Sequence, residues 1–183
     1  MINETYKAML SAKSIIRELS EYATARGKEI GYENVFDYSL GNPSVPCTDG
    51  YTRAMTDLLE KENPMALHGY SPSLGIESVR RTVAESLNRR FGMDYEVKHI
   101  FMASGAAGAL AHALRATTKP GDEVLTFAPC FPEYFPYVNT TGAKLCVVSA
   151  DTANFQINFD AFEEALNPNV AAVLINTPNN PSG

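Results

Sequence analysis

Apolar side chains recur at helical spacing near the start of the chain, at Met9, Ala12, Ile16, Leu19 and Ala23. The spacing predicts a helix in the first thirty residues, closed by Gly27 and Gly31. Val35–Leu40 reads as a short extended piece. Gly41-Asn42-Pro43-Ser44-Val45-Pro46 must be irregular, because two prolines and a glycine break any regular element. A second helix is expected over Thr52–Lys61. His68–Leu74 reads as a polar loop with an aromatic, and Ser73 is a candidate cap for the helix that follows. The apolar face of that third helix is Ile76, Val79, Val83, Leu87 and Phe91. Arg80, Arg81, Arg89 and Arg90 mark its wet side.

Near residue 100 the pattern changes. Short, continuously apolar runs stand at Ile100–Ala103, Val124–Phe127, Leu145–Val148 and Val170–Ile175. Between them Gly105–Thr118, Phe131–Thr141 and Phe159–Leu166 can be helical, and Pro120-Gly121, Thr141-Gly142 and Asn167-Pro168-Asn169 signal turns. Strands alternating with helices predict an α/β fold with a mostly parallel sheet. Runs that are apolar throughout suit strands covered by helices on both faces. In such sheets ligands bind beyond the carboxyl ends of the strands, so those ends are where chemistry is expected.

Composition narrows the field. The chain has 183 residues, 45% hydrophobic and 20% charged, with a net charge of −6, an ordinary globular balance. An acidic chain carries no electrostatic footprint for nucleic acid or an anionic membrane surface, and no apolar stretch approaches a membrane span. Cys47, Cys130 and Cys146 form no CxxC pair and stand near no histidine pair, so no metal site is expected; they read as reduced thiols of a cytoplasmic protein. His68, His99 and His112 lie far apart and read as surface or packing residues.

Three of the four strand ends carry distinctive residues. After the first run, Ser104-Gly105-Ala106-Ala107 places small residues at a strand-to-helix turn. Uncovered N–H groups and a helix dipole there could take a phosphate, although tight helix packing explains the same residues equally well. After the second, Phe131 lies among prolines, where a ring could stack on a flat ligand or simply fill the core. After the fourth, Pro178-Asn179-Asn180-Pro181-Ser182-Gly183 fixes an asparagine between prolines, and a held amide can donate to a ligand oxygen.

Together these residues resemble the class I/II aminotransferases, fold type I enzymes dependent on pyridoxal 5′-phosphate, and most resemble the bacterial aspartate aminotransferase type. Ser39-Leu40-Gly41-Asn42-Pro43 is similar to the family's substrate-side loop, and His68-Gly69-Tyr70-Ser71-Pro72 with Gly75 to its tyrosine loop. Lys119-Pro120-Gly121-Asp122-Glu123-Val124 is a common family phrase, and the proline-framed asparagine motif is the most specific match. The resemblance implies an N-terminal arm and small-domain helix over residues 1–48, and the first half of the large cofactor-binding domain over 49–183.

The resemblance also implies roles. The Gly41 N–H would meet the substrate carboxylate. The Tyr70 hydroxyl would reach the cofactor phosphate of a neighbouring subunit in a homodimer. Gly105, Ala106 and Ala107 would hold the phosphate, Phe131 would stack on the pyridine ring, and Asn180 would donate to its phenolic oxygen. The substrates would be an amino acid, aspartate or aromatic in type, and a 2-oxo acid. The bonds Ala128–Pro129 and Asn180–Pro181 would be cis. Ala107 stands where many relatives carry a hydroxyl or amide, and Thr177 where the commonest form has asparagine.

Other family residues match nothing here: the aspartate that pairs with the pyridine nitrogen, a tyrosine near the phenolic oxygen, the lysine that holds the cofactor and a carboxylate-binding arginine. No catalytic residue is therefore nominated within this chain, and the resemblance implies an N-terminal portion of a longer enzyme that is inactive alone. It further implies that Ile100–Ala103 has no direct partner among the other three runs, a cost for any buried, unpaired strand. A carbon–sulfur β-lyase or a cyclopropane-forming synthase would use the same cofactor residues. A cofactor-sensing module fits less well, since no basic helical domain precedes Gly41.

Overall fold

Three short parallel strands organise the second part of the chain, in the order β2-β1-β3. They are β1 (Glu123–Phe127), β2 (Lys144–Val148) and β3 (Val170–Val173). This computed structural model describes residues 4, 7, 8, 14–41, 43–151 and 153–183, and Met9, Ala12 and Asn42 of the readings above lie outside them. The chain forms two compact units, Met1–Tyr70 and Ser71–Gly183.

In the second unit β1 lies between its neighbours, with Val124 opposite Leu145 and Ala172. Central position explains why its apolar run is continuous: Val124 and Leu125 are fully buried and Thr126 nearly so. On one face, Val124 and Leu145 pack with Leu174, with Leu114 of α5 (Gly105–Thr117) and with Tyr134 and Val138 of α6 (Tyr134–Asn139). Phe127, three residues from Val124 and so on the opposite pleat, sets its ring 5.5 Å from Phe162 of α7 (Phe159–Ala165). Helices therefore touch both faces of β1, as its apolar run predicts, while Val147 of β2 and Ala171 and Val173 of β3 stay exposed. Fully burying Val124, Leu125 and Val138 contributes about 1.5–3 kcal/mol each.

Ile100–Ala103 corrects the sequence reading: it is not a strand. The Met102 N–H makes a long 3.4 Å bond to the Leu74 carbonyl, and Phe101 is more than half exposed. Apolar content alone cannot make a strand where no ladder partner is present, and the order β2-β1-β3 offers this segment none. Its lack of a partner among the other three runs agrees with what the resemblance implies.

The third expected helix is α4 (Glu77–Phe91), ended by Gly92 at φ +65°. Two details differ from expectation. Ile76 rather than Ser73 occupies the cap position, with no side-chain cap bond. Arg80 is not on the wet side: half-buried, it donates to the carbonyls of Gly75 (3.2 Å) and Val97 (3.0 Å), pinning the helix to the flanking loops. Arg81 remains outside in a surface pair with Glu77, a contact worth little.

The first unit contains α1 (Ile15–Ile30), α2 (Asp49–Lys61) and the single turn α3 (Pro64–Leu67). Gly27 does not close α1; it sits inside the helix, and the Tyr32 ring fills the space that a Cβ there would need. Gly31, at φ +89°, is the true stop, its N–H bonded to the Gly27 carbonyl. Val35 is extended but unpaired. α2 begins three residues before Thr52 because the Thr48 hydroxyl accepts the Tyr51 N–H. The sequence reading missed α3, which carries an Asn63 cap and a first-position proline, a recognised start signal.

Candidate functional site

The carboxyl ends of the parallel strands, where the sequence directs attention, are built from three turns of the second unit. The first opens α5. Gly105 sits at φ +73°, which a side-chain residue adopts only with strain, and the space around it is open. Ser104 makes no side-chain cap bond. Ala106 and Ala107 are exposed in the first helical turn, where backbone N–H groups precede any intrahelical acceptor and the helix dipole favours an anion.

The second turn follows β1. Ala128–Pro129 is cis, as expected. Phe131 is half-buried, packs against the sheet core and meets Tyr134 edge-on at 5.7 Å. It is thus both a core ring and a residue at the strand end. Burial pushes the neighbouring Cys130 thiol up, and it pushes the Tyr134 hydroxyl up with smaller help from Cys130 and Tyr137. Both groups therefore stay neutral at ordinary pH.

The third turn follows β3. Asn180–Pro181 is cis as expected, and Thr177–Pro178 is cis as well. The two asparagines divide their work. The Asn179 amide donates to the Pro129 carbonyl at 2.9 Å and to the Ser182 hydroxyl at 2.7 Å. The Asn179 carbonyl accepts the Gly183 N–H at 2.8 Å. Asn180 is exposed, and its side chain has no partner among the described residues. Asn179 is the residue of this turn whose bonds sequence reasoning missed, and the doubled asparagine was the signal for it.

A cleft of about 180 Å³ lies against these ends, lined by Phe127, Ala128, Phe155, Thr177, Asn179 and Ser182 among others. Thr126 closes its floor through a 3.1 Å bond from its hydroxyl to the Leu174 carbonyl. Phe131 and Asn180 do not line it. The structure thus ties the turns after β1 and β3 directly, while α5 joins them through the shared core, where Leu110 and Phe131 pack on the same cluster. Gly41 and Tyr70 belong to the first unit. Gly41 is exposed with open space where a Cβ would stand, and Tyr70 is fully exposed. Among the described residues no cluster of histidine, cysteine or acidic side chains could hold a metal ion.

The family model described as aminotransferase class I and II matches residues 34–183. An aspartate aminotransferase of Thermotoga maritima is 31% identical over 152 residues, which are 82% of this chain and 39% of that protein. A probable N-acetyl-LL-diaminopimelate aminotransferase of Bacillus subtilis is 29% identical over 83% of this chain and 38% of its own length. Among solved structures, an aminotransferase from Eubacterium rectale superposes with a TM-score of 0.93 at 42% identity, covering 99% of this chain and 46% of that one. The chain spans less than half the length of each of these proteins.

Proposed function

Because the chain belongs to the aminotransferase class I and II family, we propose that it is the N-terminal portion of an enzyme that moves an amino group from an amino acid to a 2-oxo acid with pyridoxal 5′-phosphate. In this reading residues 1–48 form the arm and small-domain helix, and 49–183 the first half of the cofactor-binding domain.

The residues present fit a flat ring that bears a phosphate and an acidic oxygen. The start of α5 offers the phosphate the backbone N–H groups of Ala106 and Ala107 and the helix dipole, while Gly105, with open space where a Cβ would stand, leaves the approach clear. Phe131 supplies an aromatic face at the end of β1. Asn180 supplies an amide with no partner among the described residues. That open amide, beside an Asn179 whose amide N–H groups are both engaged, is the observation that carries the reading.

When bound, the cofactor supplies an electron sink for the charge left as a substrate Cα–H gives up its proton. This chain's residues bind and orient. The start of α5 would hold the phosphate, Phe131 would stack on the ring, and Asn180 would donate to the phenolic oxygen, favouring its anionic form. Gly41 meets the substrate carboxylate through its N–H. Tyr70 donates its hydroxyl to the phosphate of a neighbouring subunit in a cytoplasmic homodimer. The lysine that would hold the cofactor is expected outside residues 1–183.

The test is an assay of the whole enzyme with aspartate, then with an aromatic amino acid. Product formation that requires a 2-oxo acid, and falls at least about tenfold in Asn180→Ala, supports the reading. Ammonia release without a 2-oxo acid overturns it in favour of a lyase.

A further inference from the structure

Asn179 spends both N–H bonds of its amide on different pieces of chain. One goes to the Pro129 carbonyl in the turn after β1, and the other to the Ser182 hydroxyl within its own turn. The bond to Pro129 crosses 50 residues of sequence, and Pro129 stands two positions before Phe131 while Asn179 adjoins Asn180. The two ends are already in register, because the Leu174 N–H bonds the Leu125 carbonyl at 2.8 Å and the Thr126 hydroxyl bonds the Leu174 carbonyl. Beyond Leu174 the ladder stops. Past that point the bond from Asn179 to Pro129 is the hydrogen bond the structure records between the two turns.

We infer that Asn179 is a positioning residue: it couples the turn carrying Phe131 to the turn carrying Asn180, so that ring face and amide are held as one unit. The part of this inference that concerns the cofactor rests on the functional reading above; the tether itself does not. A side chain that serves only its own turn would bond Ser182 alone. Reaching Pro129 as well makes the position of Asn180 depend on the turn after β1, and preorganised donors of this kind hold a ligand without reordering on binding.

The experiment has two readouts, both on the whole enzyme. The first is a double-mutant cycle on release of bound pyridoxal 5′-phosphate, followed by its visible absorbance, with Asn179→Ala, Asn180→Ala and both together. Each single change is expected to speed release about tenfold. If Asn179 acts through Asn180, the double variant is no faster than the quicker single, within about twofold. Multiplying effects, about a hundredfold in the double variant, would overturn the coupling.

The second readout needs no cofactor: backbone hydrogen exchange of the apo protein. Asn179→Ala should raise exchange in both turns, at 130–135 and at 179–183, while Ser182→Ala raises it in the second turn only. Unchanged exchange at 130–135 in Asn179→Ala would overturn the tether. If the enzyme takes up no pyridoxal 5′-phosphate, the functional reading fails, and the exchange result still decides the tether.

Discussion

The two units use similar helices to very different effect. In the second, α5 and α6 lay Leu114, Tyr134 and Val138 against Val124 and Leu145, and the group is buried. In the first, α1 and α2 carry equally regular apolar stripes, yet Gly27 is the only buried residue among those described. Leu19, Tyr22 and Leu59 are all more than half exposed. Periodicity shows which side of a helix seeks a partner; it does not supply one. Helices of 13 to 16 residues draw most of their stability from packing, which the sheet core gives the second unit and the exposed stripes of α1 and α2 do not give the first.

One substitution made in both units gives the sharpest test. Leu125→Ala leaves a hole against the buried face of the central strand and should cost about 2–5 kcal/mol. Leu59→Ala, on a residue 63% exposed, should change stability by less than about 0.5 kcal/mol. Urea unfolding followed by circular dichroism reads both. Comparable losses would break the contrast, because they would mean that the outer face of α2 is covered in solution.

The same contrast explains what could be read in advance. The runs that became β1, β2 and β3 were found to within a residue or two, since each is apolar and bounded by turns, although only β1 is buried along its length. Ile100–Ala103 has the same composition and failed, because pairing is a property of neighbours and not of the segment. Arg80 failed for a related reason: its helical position suggested solvent, but the carbonyls of Gly75 and Val97 were waiting there. At the site, glycine and proline positions were legible because they restrict backbone geometry directly. The choice of Asn179 as the tether was not, because either asparagine of the pair satisfies the local pattern.

A smaller effect probes the joint between β1 and β3. Thr126 is 2% exposed, and its hydroxyl holds the Leu174 carbonyl. Thr126→Val keeps the shape and removes the bond, so it should cost about 1–3 kcal/mol and lower the urea midpoint without changing the slope. A neutral result would mean that the backbone bond from Leu174 to Leu125 alone sets this joint.

Caps should act more evenly across the two units. The Thr48 hydroxyl accepts the Tyr51 N–H at the start of α2, and the Asn158 amide oxygen accepts the Ala161 N–H at the start of α7. Alanine at either position should cost about 1 kcal/mol. Local helix content, read by amide chemical shifts, should fall over Asp49–Lys61 in the first case and leave the sheet unchanged. If Thr48→Ala instead weakened β1, the units would not be separable in stability.

Extremes of pH should touch the two units with opposite sign. In the second, burial raises the Cys130 thiol above 9.0 and the Tyr134 hydroxyl above 10.0. A raised acid keeps its proton more tightly when folded, so its contribution is intact below those values. It is lost as pH climbs past 9 and the unfolded chain gives up protons first. In the first unit the Ser39 hydroxyl and N–H hold Asp37 below its usual value. That contribution is present above the ordinary carboxylate range and fades as acid protonates the folded group. Asp37 is fully exposed, so solvent screening keeps its part slight. A urea midpoint measured from pH 4 to 10.5 should therefore be level in the middle and fall at the alkaline end. Cys130→Ala with Tyr134→Phe should flatten that alkaline fall. An unchanged fall in the double variant would place the alkaline weakness outside the turn that carries Phe131, and would remove burial at this strand end as its cause.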